Sequence, residues 1–241
     1  MCTVTIFPKG KSDFILTSNR DESPSRISSI PQFYEVNSMK LLFPKDERSG
    51  GTWIGVSEKN RVVCMMNGGF ARHERQLEYR LSRGLVTKDY LISDSITKSL
   101  NDYDLVGIEP FTMVVADWND ALRFFELVWD GVQKHVAELP LEAKIWSSST
   151  LYSEAMKQER QHWFDDFKVQ NELSAPSFLK FHKTAGMGND YYGVVMDRGF
   201  VKTTSITQVE KCDLAIKMHY ENLHNKKVSD AVFDLPQTIN D

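Results

Sequence analysis

Short apolar runs separated by polar turns open the chain, which is the pattern of antiparallel strand pairs. Residues 3–7 and 14–17 flank a polar turn and predict a hairpin. Cys2 begins the first of these strands, and Asn19 lies just past the end of the second. Residues 22–30, with their Ser and Pro residues, predict a loop after this hairpin.

Further strand pairs recur along the chain, and turn residues mark each of them. The remaining predicted strands are 52–56, 61–66, 111–116, 122–129, 133–139, 191–196 and 200–209. The second hairpin ends on Asn67-Gly68-Gly69, a strong turn signal, and the three strands that begin at residue 111 form a meander.

Apolar residues at helical spacing predict three helices, over residues 80–91, 93–100 and 153–167. Hairpins with helices grouped between them indicate an α+β fold, a sandwich of two antiparallel sheets faced by helices. We expect one domain over residues 1–225, followed by a polar and partly disordered tail over residues 226–241.

Composition and charge narrow the classes of function. The 241 residues carry a net charge of −4 with no basic block, which argues against a nucleic-acid partner. No apolar stretch approaches the roughly 18 residues of a membrane span, and the N-terminus does not resemble a signal peptide. Three cysteines with no C-x-x-C pair fit reduced thiols, so we expect a cytoplasmic protein without an integral membrane segment.

Familiar cofactor and metal motifs are missing from the sequence. It contains no H-E-x-x-H, and its six histidines are dispersed, so we expect no metal. Gly186-Met187-Gly188 resembles a dinucleotide loop only faintly, because Tyr191 stands where the third glycine belongs. We therefore expect no cofactor.

Cys2 offers a chemistry that needs none of these motifs. Removal of Met1 would leave Cys2 with both a thiol and a free α-amine, and that amine can act as the base for its own nucleophile. Such a site also needs an orienting carboxylate and an oxyanion donor, which Asp21 and Asn67 can supply. The alternatives are a buried strand cysteine and an asparagine that serves only its turn.

Six collinear segments make this hypothesis more specific: MCTVTIF, TSNRDES, SGGTWIGV, VVCMMNGGFARH, GIEPFTMVV and IWSSSTLY. Together they resemble the NRDE family, which is named for Asn-Arg-Asp-Glu and is related to the eukaryotic transport-and-Golgi-organisation proteins. The resemblance runs from Cys2 to about Phe167.

The NRDE family in turn resembles the N-terminal-nucleophile hydrolases of the choloylglycine hydrolase and penicillin V acylase type. That resemblance implies an αββα sandwich that cleaves non-peptide amide bonds. It implies Cys2 as the nucleophile, Asp21 as the aspartate that holds the nucleophile's amine, and Asn67 as the oxyanion-hole asparagine.

Three positions depart from the pattern of those hydrolases. Ser18 stands where they carry an arginine, and Arg20 comes two residues later, on the same face of the strand if the strand continues that far. Arg20 is therefore a further catalytic candidate. Ser148 is a short substitute for a second asparagine, and Lys202-Thr203-Thr204 occupies the strand of a late arginine.

Two functions stay open at this point. The first is an amidohydrolase for a small-molecule amide, and the second is a protein that reuses the fold to bind or traffic a lipid-like ligand. The residues predicted to bind the substrate are Asn19, Trp53, Phe70 and Ser148. For the two aromatic residues, packing in the core or at its rim is the alternative.

Overall fold

The structure, a computed structural model, describes residues 3–234. Cys2 and residues 235–241 lie outside the described residues. Thirteen strands run through the described part of the chain: β1 (Thr3–Lys9), β2 (Asp13–Glu22), β3 (Gln32–Val36), β4 (Met39–Phe43), β5 (Ile54–Ser57), β6 (Arg61–Asn67), β7 (Phe111–Asp117), β8 (Arg123–Trp129), β9 (Lys134–Leu139), β10 (Lys144–Ser147), β11 (Lys202–Cys212), β12 (Ala215–Asn222) and β13 (Val228–Asp234). The helices within the same range are α1 (Arg83–Ile92), α2 (Ile96–Asp102), α3 (Glu154–Gln170) and α4 (Ala175–Thr184).

The strands form two antiparallel sheets. The first sheet has the order β10-β1-β2-β11-β12-β13, and the second has the order β3-β4-β5-β6-β7-β8-β9. Helices α3 and α4 cover the outer face of the first sheet, while α1 and α2 cover the outer face of the second. The predicted α+β sandwich, with its αββα layers, is confirmed.

Strand alternation divides each sheet between two apolar cores. In β2, Phe14 and Leu16 pack between the sheets, whereas Ile15 packs against Phe178 of α4 and the rest of the helix layer. Successive side chains of a strand point to opposite faces, so this alternation fixes which side every later residue of β2 takes. A shift of one residue would exchange the two faces, so burial of both specifies the register.

Most of the predicted elements are present. The first two hairpins and the meander β7-β8-β9 occur as predicted. The third predicted helix is α3, which begins after its N-cap Ser153, whose hydroxyl accepts a hydrogen bond from the backbone of Met156.

The prediction that Asn19 lies past the end of its strand is wrong. Strand β2 continues to Glu22 and pairs on one side with β1 and on the other with β11. The polar residues Asn19, Arg20 and Asp21 are all buried in this central strand. They are tolerated because each side chain is hydrogen-bonded or paired with a charge.

Two other expectations also need correction. Residues 191–196, which were predicted to form a strand, form turns instead. The strand β11 pairs with β2 and β12. Val228–Asp234, which were expected in the polar tail, form the edge strand β13 against β12. In β13 the inward positions are Ser229, Ala231 and Phe233, so only Phe233 supplies a strong apolar signal.

A buried polar network joins α4 to the start of the first sheet. The amide of Asn19 donates to the carbonyl oxygens of His182 (3.0 Å) and Val194 (2.6 Å). Its side-chain oxygen is therefore the acceptor for Nδ1 of His182 at 2.6 Å, and Nε2 accepts from the hydroxyl of Thr5 at 2.8 Å. A neutral imidazole with its proton on Nδ1 satisfies this pattern.

Burial, with a smaller effect from the charge of Arg160, lowers the pKa of His182 from 6.5 to about 3. The unfolded chain therefore binds more protons than the folded protein between these values, so stability falls as the pH drops below 6.5.

We expect this histidine to cost about 2 kcal/mol of the free energy of unfolding between about pH 7 and about pH 5. Urea unfolding of wild type and His182→Gln should show a flatter pH dependence for the variant. His224→Gln, at an exposed position, is the control and should keep the wild-type slope; equal slopes for all three proteins would contradict the assignment.

Candidate functional site

Arg20 and Asp21 are neighbours in sequence but face opposite sides of the first sheet. The guanidinium of Arg20 lies toward the second sheet, 4.6 Å from the ring centroid of Trp53. The carboxylate of Asp21 lies on the helix side, where it contacts Tyr152. The cluster that the sequence presents as one polar patch is thus divided between two layers.

The carboxylate of Asp21 is held from two sides. The hydroxyl of Tyr152 donates to Oδ2 and the hydroxyl of Thr203 donates to Oδ1, both at 2.6 Å. The guanidinium of Arg160 lies 3.6 Å from the centroid of the Tyr152 ring. Arg160 also donates to the hydroxyl of Thr3, at 2.7 Å, and so ties the first residue of β1 to the same cluster. Asp21 is therefore an oriented acceptor near the first residue of β1.

A β-bulge in β11 explains how the adjacent residues Thr203 and Thr204 contact different groups of β2. The register against β2 shifts between Thr203, which pairs with Asp21, and Ser205, which pairs with Arg20. The hydroxyl of Thr203 reaches the Asp21 carboxylate, whereas the hydroxyl of Thr204 donates to the carbonyl of Arg20 at 3.0 Å. Bulges commonly re-aim side chains next to functional sites. Here the bulge supplies hydroxyls on the strand where the sequence analysis found no arginine.

Arg20 is almost fully buried and forms an ion pair. Its Nη2 lies 2.6 Å from Oδ2 of Asp46, and its Nη1 donates to Thr204 at 3.3 Å and to the carbonyl of Arg26 at 3.2 Å. Burial lowers the pKa of Arg20 from its ordinary value, while the charges of Glu22 and Asp46 oppose this effect. An arginine stays protonated in such a setting, so its positive charge is a fixed part of the site.

Asn67 ends β6 at a turn that two serines hold in place. Ser148 donates to the carbonyl of Asn67 at 2.7 Å, and Ser149 donates to the carbonyl of Gly69 at 2.5 Å. From the other side, the backbone N–H of Gly68 donates to Pro110 at 2.9 Å. The main chain at Asn67 is therefore fixed independently of its side chain.

Arg20, Trp53 and Asn67 line one cavity of about 340 Å³. It extends from β2 across to β6 and the first turn of α1. The predicted catalytic residues Arg20 and Asn67 and the predicted substrate-binding residue Trp53 thus share one space, with a mainly polar wall.

The other predicted site residues take different positions. Asn19 is fully buried on the helix side, and Ser148 lies beneath the Asn67 turn, so both act on the positions of other groups. Phe70 is exposed and packs edge-on against His135, 4.8 Å between ring centroids, outside the cavity lining. These three positions do not support direct substrate contact. Cys2, the predicted nucleophile, lies outside the described residues.

Sequence reasoning missed several charged residues of the cavity wall. Arg75, Arg83 and Glu109 all line it. Nη2 of Arg83 lies 3.0 Å from Glu109, a partner 26 residues away, and no local pattern connects these positions. Arg75 lies in a polar stretch without helical or strand periodicity, so no local pattern indicates that it lines the cavity.

Within residues 3–234, no group of three or more His, Cys, Asp or Glu side chains is arranged to hold a metal ion. No helix in that same range is long and apolar enough to cross a membrane.

Solved structures with the same arrangement of layers define the class of fold. The chain is similar to the C2A mutant of conjugated bile acid hydrolase from Clostridium perfringens, with a TM-score of 0.56 and 10% identity over 99% of this chain and 97% of that one. It is also similar to the Caenorhabditis elegans orthologue of N-acylethanolamine-hydrolyzing acid amidase, with a TM-score of 0.59 and 12% identity over 86% of this chain and 92% of that one. Penicillin V acylase from Agrobacterium tumefaciens gives a TM-score of 0.57 and 8% identity over 97% and 86% of the two chains. The fold is that of the N-terminal-nucleophile hydrolases.

The chain belongs to the Transport and Golgi organisation 2 family, whose sequence model matches residues 1–210. It is 30% identical over 115 residues to the human Transport and Golgi organization protein 2 homolog, which covers 44% of this chain and 40% of the human protein. It is 33% identical over 82 residues to the mouse homolog, covering 33% of this chain and 29% of the mouse protein. The matched segments thus span less than half of each relative.

The Asn67 turn gives a direct test of how tightly the site is packed. Gly68 has φ +87°, and a Cβ there would lie 2.6 Å from Oγ of Ser149 and 2.8 Å from Cγ2 of Thr150. Gly188 has φ +88° with nothing within 4 Å, so Gly188→Ala is a matched control for the backbone cost alone. We expect Gly68→Ala to lower the free energy of unfolding by about 2 kcal/mol more than Gly188→Ala does, in urea denaturation. Equal losses would mean that Ser149 and Thr150 move aside without cost in free energy.

Proposed function

We propose that the protein is an N-terminal-cysteine amidohydrolase that acts on a linear, non-peptide amide after removal of Met1. The observation that carries the proposal is the register of β1 on β2. Thr3 pairs with Asn19, so the chain enters β1 beside Arg20 and the fixed carboxylate of Asp21. Cys2 directly precedes Thr3 in the sequence.

Strand alternation supports a reacting position at the cavity. Val4 packs between the two sheets, on the same side as Arg20 and Trp53. If β1 extended by one residue, the side chain at position 2 would share that side, because positions two apart in a strand point the same way. The thiol would then face the space that Asn67 lines.

The proposed reaction is an acyl transfer in two steps. The Cys2 thiol gives its proton to its own α-amine, and the sulfur attacks the carbonyl carbon of the amide. The resulting oxyanion accepts a hydrogen bond from the side chain of Asn67. The amine leaving group takes the proton and departs, which leaves a thioester on Cys2. Water then attacks the thioester and releases the carboxylic acid and the thiol.

The geometry of Asp21 supports its proposed role as the group that holds the α-amine. An ionised carboxylate has about four lone-pair sites, so it can accept an ammonium donor in addition to the hydroxyls of Tyr152 and Thr203. Because those two hydroxyls fix its orientation, the amine would be presented to the thiol in one geometry. The structural neighbours are named as a bile acid hydrolase, an acid amidase and a penicillin V acylase, and this analogy of fold supports the proposal of an amide substrate.

A non-enzymatic ligand-binding or trafficking role is the second candidate. One observation favours this second role. The hydroxyl of Ser148 donates to the backbone carbonyl of Asn67, so it is not directed at a substrate oxyanion, and the proposed oxyanion hole has the side chain of Asn67 as its side-chain donor. A binding protein needs no oxyanion hole, and the family is described by transport and Golgi organisation. In either role we propose a small-molecule ligand and a cytoplasmic location.

The amine of Cys2 separates these two functions. We expect protein with a verified N-terminal Cys2 to form an acyl-enzyme with members of a panel of acyl amides, detected as an added mass on the Cys2 peptide. Cys2→Ala, and a variant with an extra residue retained before Cys2, should both fall to background, because each removes a reacting group. Asp21→Asn should lose activity roughly tenfold to a hundredfold, since it disturbs orientation but leaves the nucleophile in place.

These outcomes are interpretable only if the variants are folded, which circular dichroism and unfolding curves establish. An acyl adduct on Cys64 or Cys212 in place of Cys2 would contradict the proposed mechanism. If verified Cys2 protein forms no adduct with any amide, the binding role becomes the better account.

Thiol reactivity provides an independent check. Cys64 lies on β6 in the core between the sheets, and burial raises the pKa of its thiol to about 12. At about pH 8 its thiolate fraction is on the order of one part in ten thousand. We expect a short iodoacetamide pulse on folded protein to label Cys2 fastest, to label the exposed Cys212 more slowly, and to leave Cys64 unmodified. Peptide mapping measures all three, and the unfolded protein, labelled at every cysteine, is the control. Preferential labelling of Cys64 or Cys212 would contradict the assignment of Cys2.

A further inference from the structure

The wall of the cavity carries more positive than negative charge. Four guanidinium groups line it, from Arg20, Arg26, Arg75 and Arg83. Three carboxylates line it as well, from Glu22, Asp46 and Glu109. Opposite charges at this density normally neutralise one another, so the pairing of each group decides what the cavity can still bind.

Ion pairs account for three of the four arginines. Asp46 accepts from Arg20 at 2.6 Å and from Arg26 at 2.7 Å, and Arg26 also lies 3.3 Å from Glu22. Glu109 lies 3.0 Å from Arg83. In the part of the chain that the structure describes, Arg75 has no carboxylate partner, so its positive charge is not neutralised by an ion pair.

Arg83 lies beside this surplus charge and next to the Asn67 turn. Burial lowers the pKa of Arg83 from its ordinary value, Glu109 opposes that effect, and the like charge of Arg75 adds to the lowering. The Nη1 of Arg83 donates to the carbonyl of Pro110 at 3.0 Å, and the N–H of Gly68 donates to the same oxygen. The electropositive part of the wall is thus attached to the turn that carries Asn67.

Trp53 adds a donor that lacks an acceptor. Its side chain lines the cavity and is 7% exposed, and its indole Nε1 is buried without a hydrogen-bond partner among residues 3–234. A buried N–H that makes no hydrogen bond costs free energy, which a ligand oxygen in the cavity would recover. The side chains of Arg75, Arg83 and Trp53 therefore all line one cavity.

We infer that the cavity binds ligands carrying an anionic group, a carboxylate or a phosphate, which Arg75 and Arg83 recognise and to which the indole of Trp53 donates. This inference rests on the proposed function in taking the cavity as the substrate site, and it makes the substrate an acyl amide with an anionic group. A neutral, purely apolar amide would make no ionic contact with Arg75 and would offer no acceptor to the Trp53 N–H.

Calorimetric binding to paired probes tests the inference. N-octanoylglycine is compared with the neutral N-octanoylglycine amide, and phosphorylated N-octanoylethanolamine with its unphosphorylated form. Wild-type protein is titrated alongside Cys2→Ala, in which turnover does not enter the measurement. We expect at least one anionic probe to bind about tenfold tighter than its neutral partner, and to lose that preference as salt is raised. The glycine pair reports on carboxylate recognition and the ethanolamine pair on phosphate recognition.

Four variants assign the effect to the named residues. We expect Arg75→Gln and Trp53→Phe each to weaken binding of the preferred anionic probe about fivefold, with the neutral probe changed less than about twofold. Arg75→Lys should keep most of the preference because it keeps the charge. Arg72→Gln, an exposed arginine of the same segment outside the cavity lining, is the matched control and should bind like wild type.

The outcomes separate this inference from the proposed function. Anionic preference that depends on Arg75, together with no acyl-enzyme on Cys2, would support the inference and reject the hydrolase. An acyl-enzyme on Cys2 with equal affinity for anionic and neutral probes would support the hydrolase and reject the inference. Equal effects of Arg75→Gln and Arg72→Gln, or no binding of any probe to folded protein, would overturn the inference.

Discussion

The backbone pairing of β2 with β1 and β11 is the constraint on which the other features depend. Pairing on both sides fixes which residues of β2 face the second sheet and which face the helices. Burial then obliges each polar side chain at its end to find a partner on its own side. Asn19 finds one in His182, Arg20 in Asp46, and Asp21 in Tyr152 and Thr203. The helix layer and the cavity wall are thus both built around one strand.

Hydrogen bonds from residues outside the cavity lining hold the groups around the site in place. Arg160 of α3 joins the start of β1 to the ring that orients Asp21, and Ser148 and Ser149 hold the turn after β6. Supporting hydrogen bonds of this kind are what keep reacting groups within the narrow tolerances that acyl transfer requires. A binding protein would gain from the same rigidity, because a preformed cavity costs less ordering entropy when its ligand enters.

Local patterns in the sequence predicted the layers of the fold and part of the site. The hairpins and α3 were accessible because their alternation, turns and caps are short-range signals. Strands β3 and β10 were missed for different reasons: β3 is largely exposed at a sheet edge, and β10 pairs with β1 from about 140 residues away. The family resemblance placed Asn67, but the bond from Ser148 to its carbonyl and the pairing of Arg83 with Glu109 are long-range contacts that no local pattern encodes.

The opposite orientations of Arg20 and Asp21 have a consequence for how the family's sequences diverge. The four adjacent residues Asn-Arg-Asp-Glu are under two separate structural constraints. The arginine and the glutamate line the cavity, whereas the asparagine and the aspartate contact groups on the helix side of the sheet. A lineage that acquires a new ligand can replace the arginine and glutamate while it keeps the asparagine and aspartate. A lineage that repacks its helices can do the reverse.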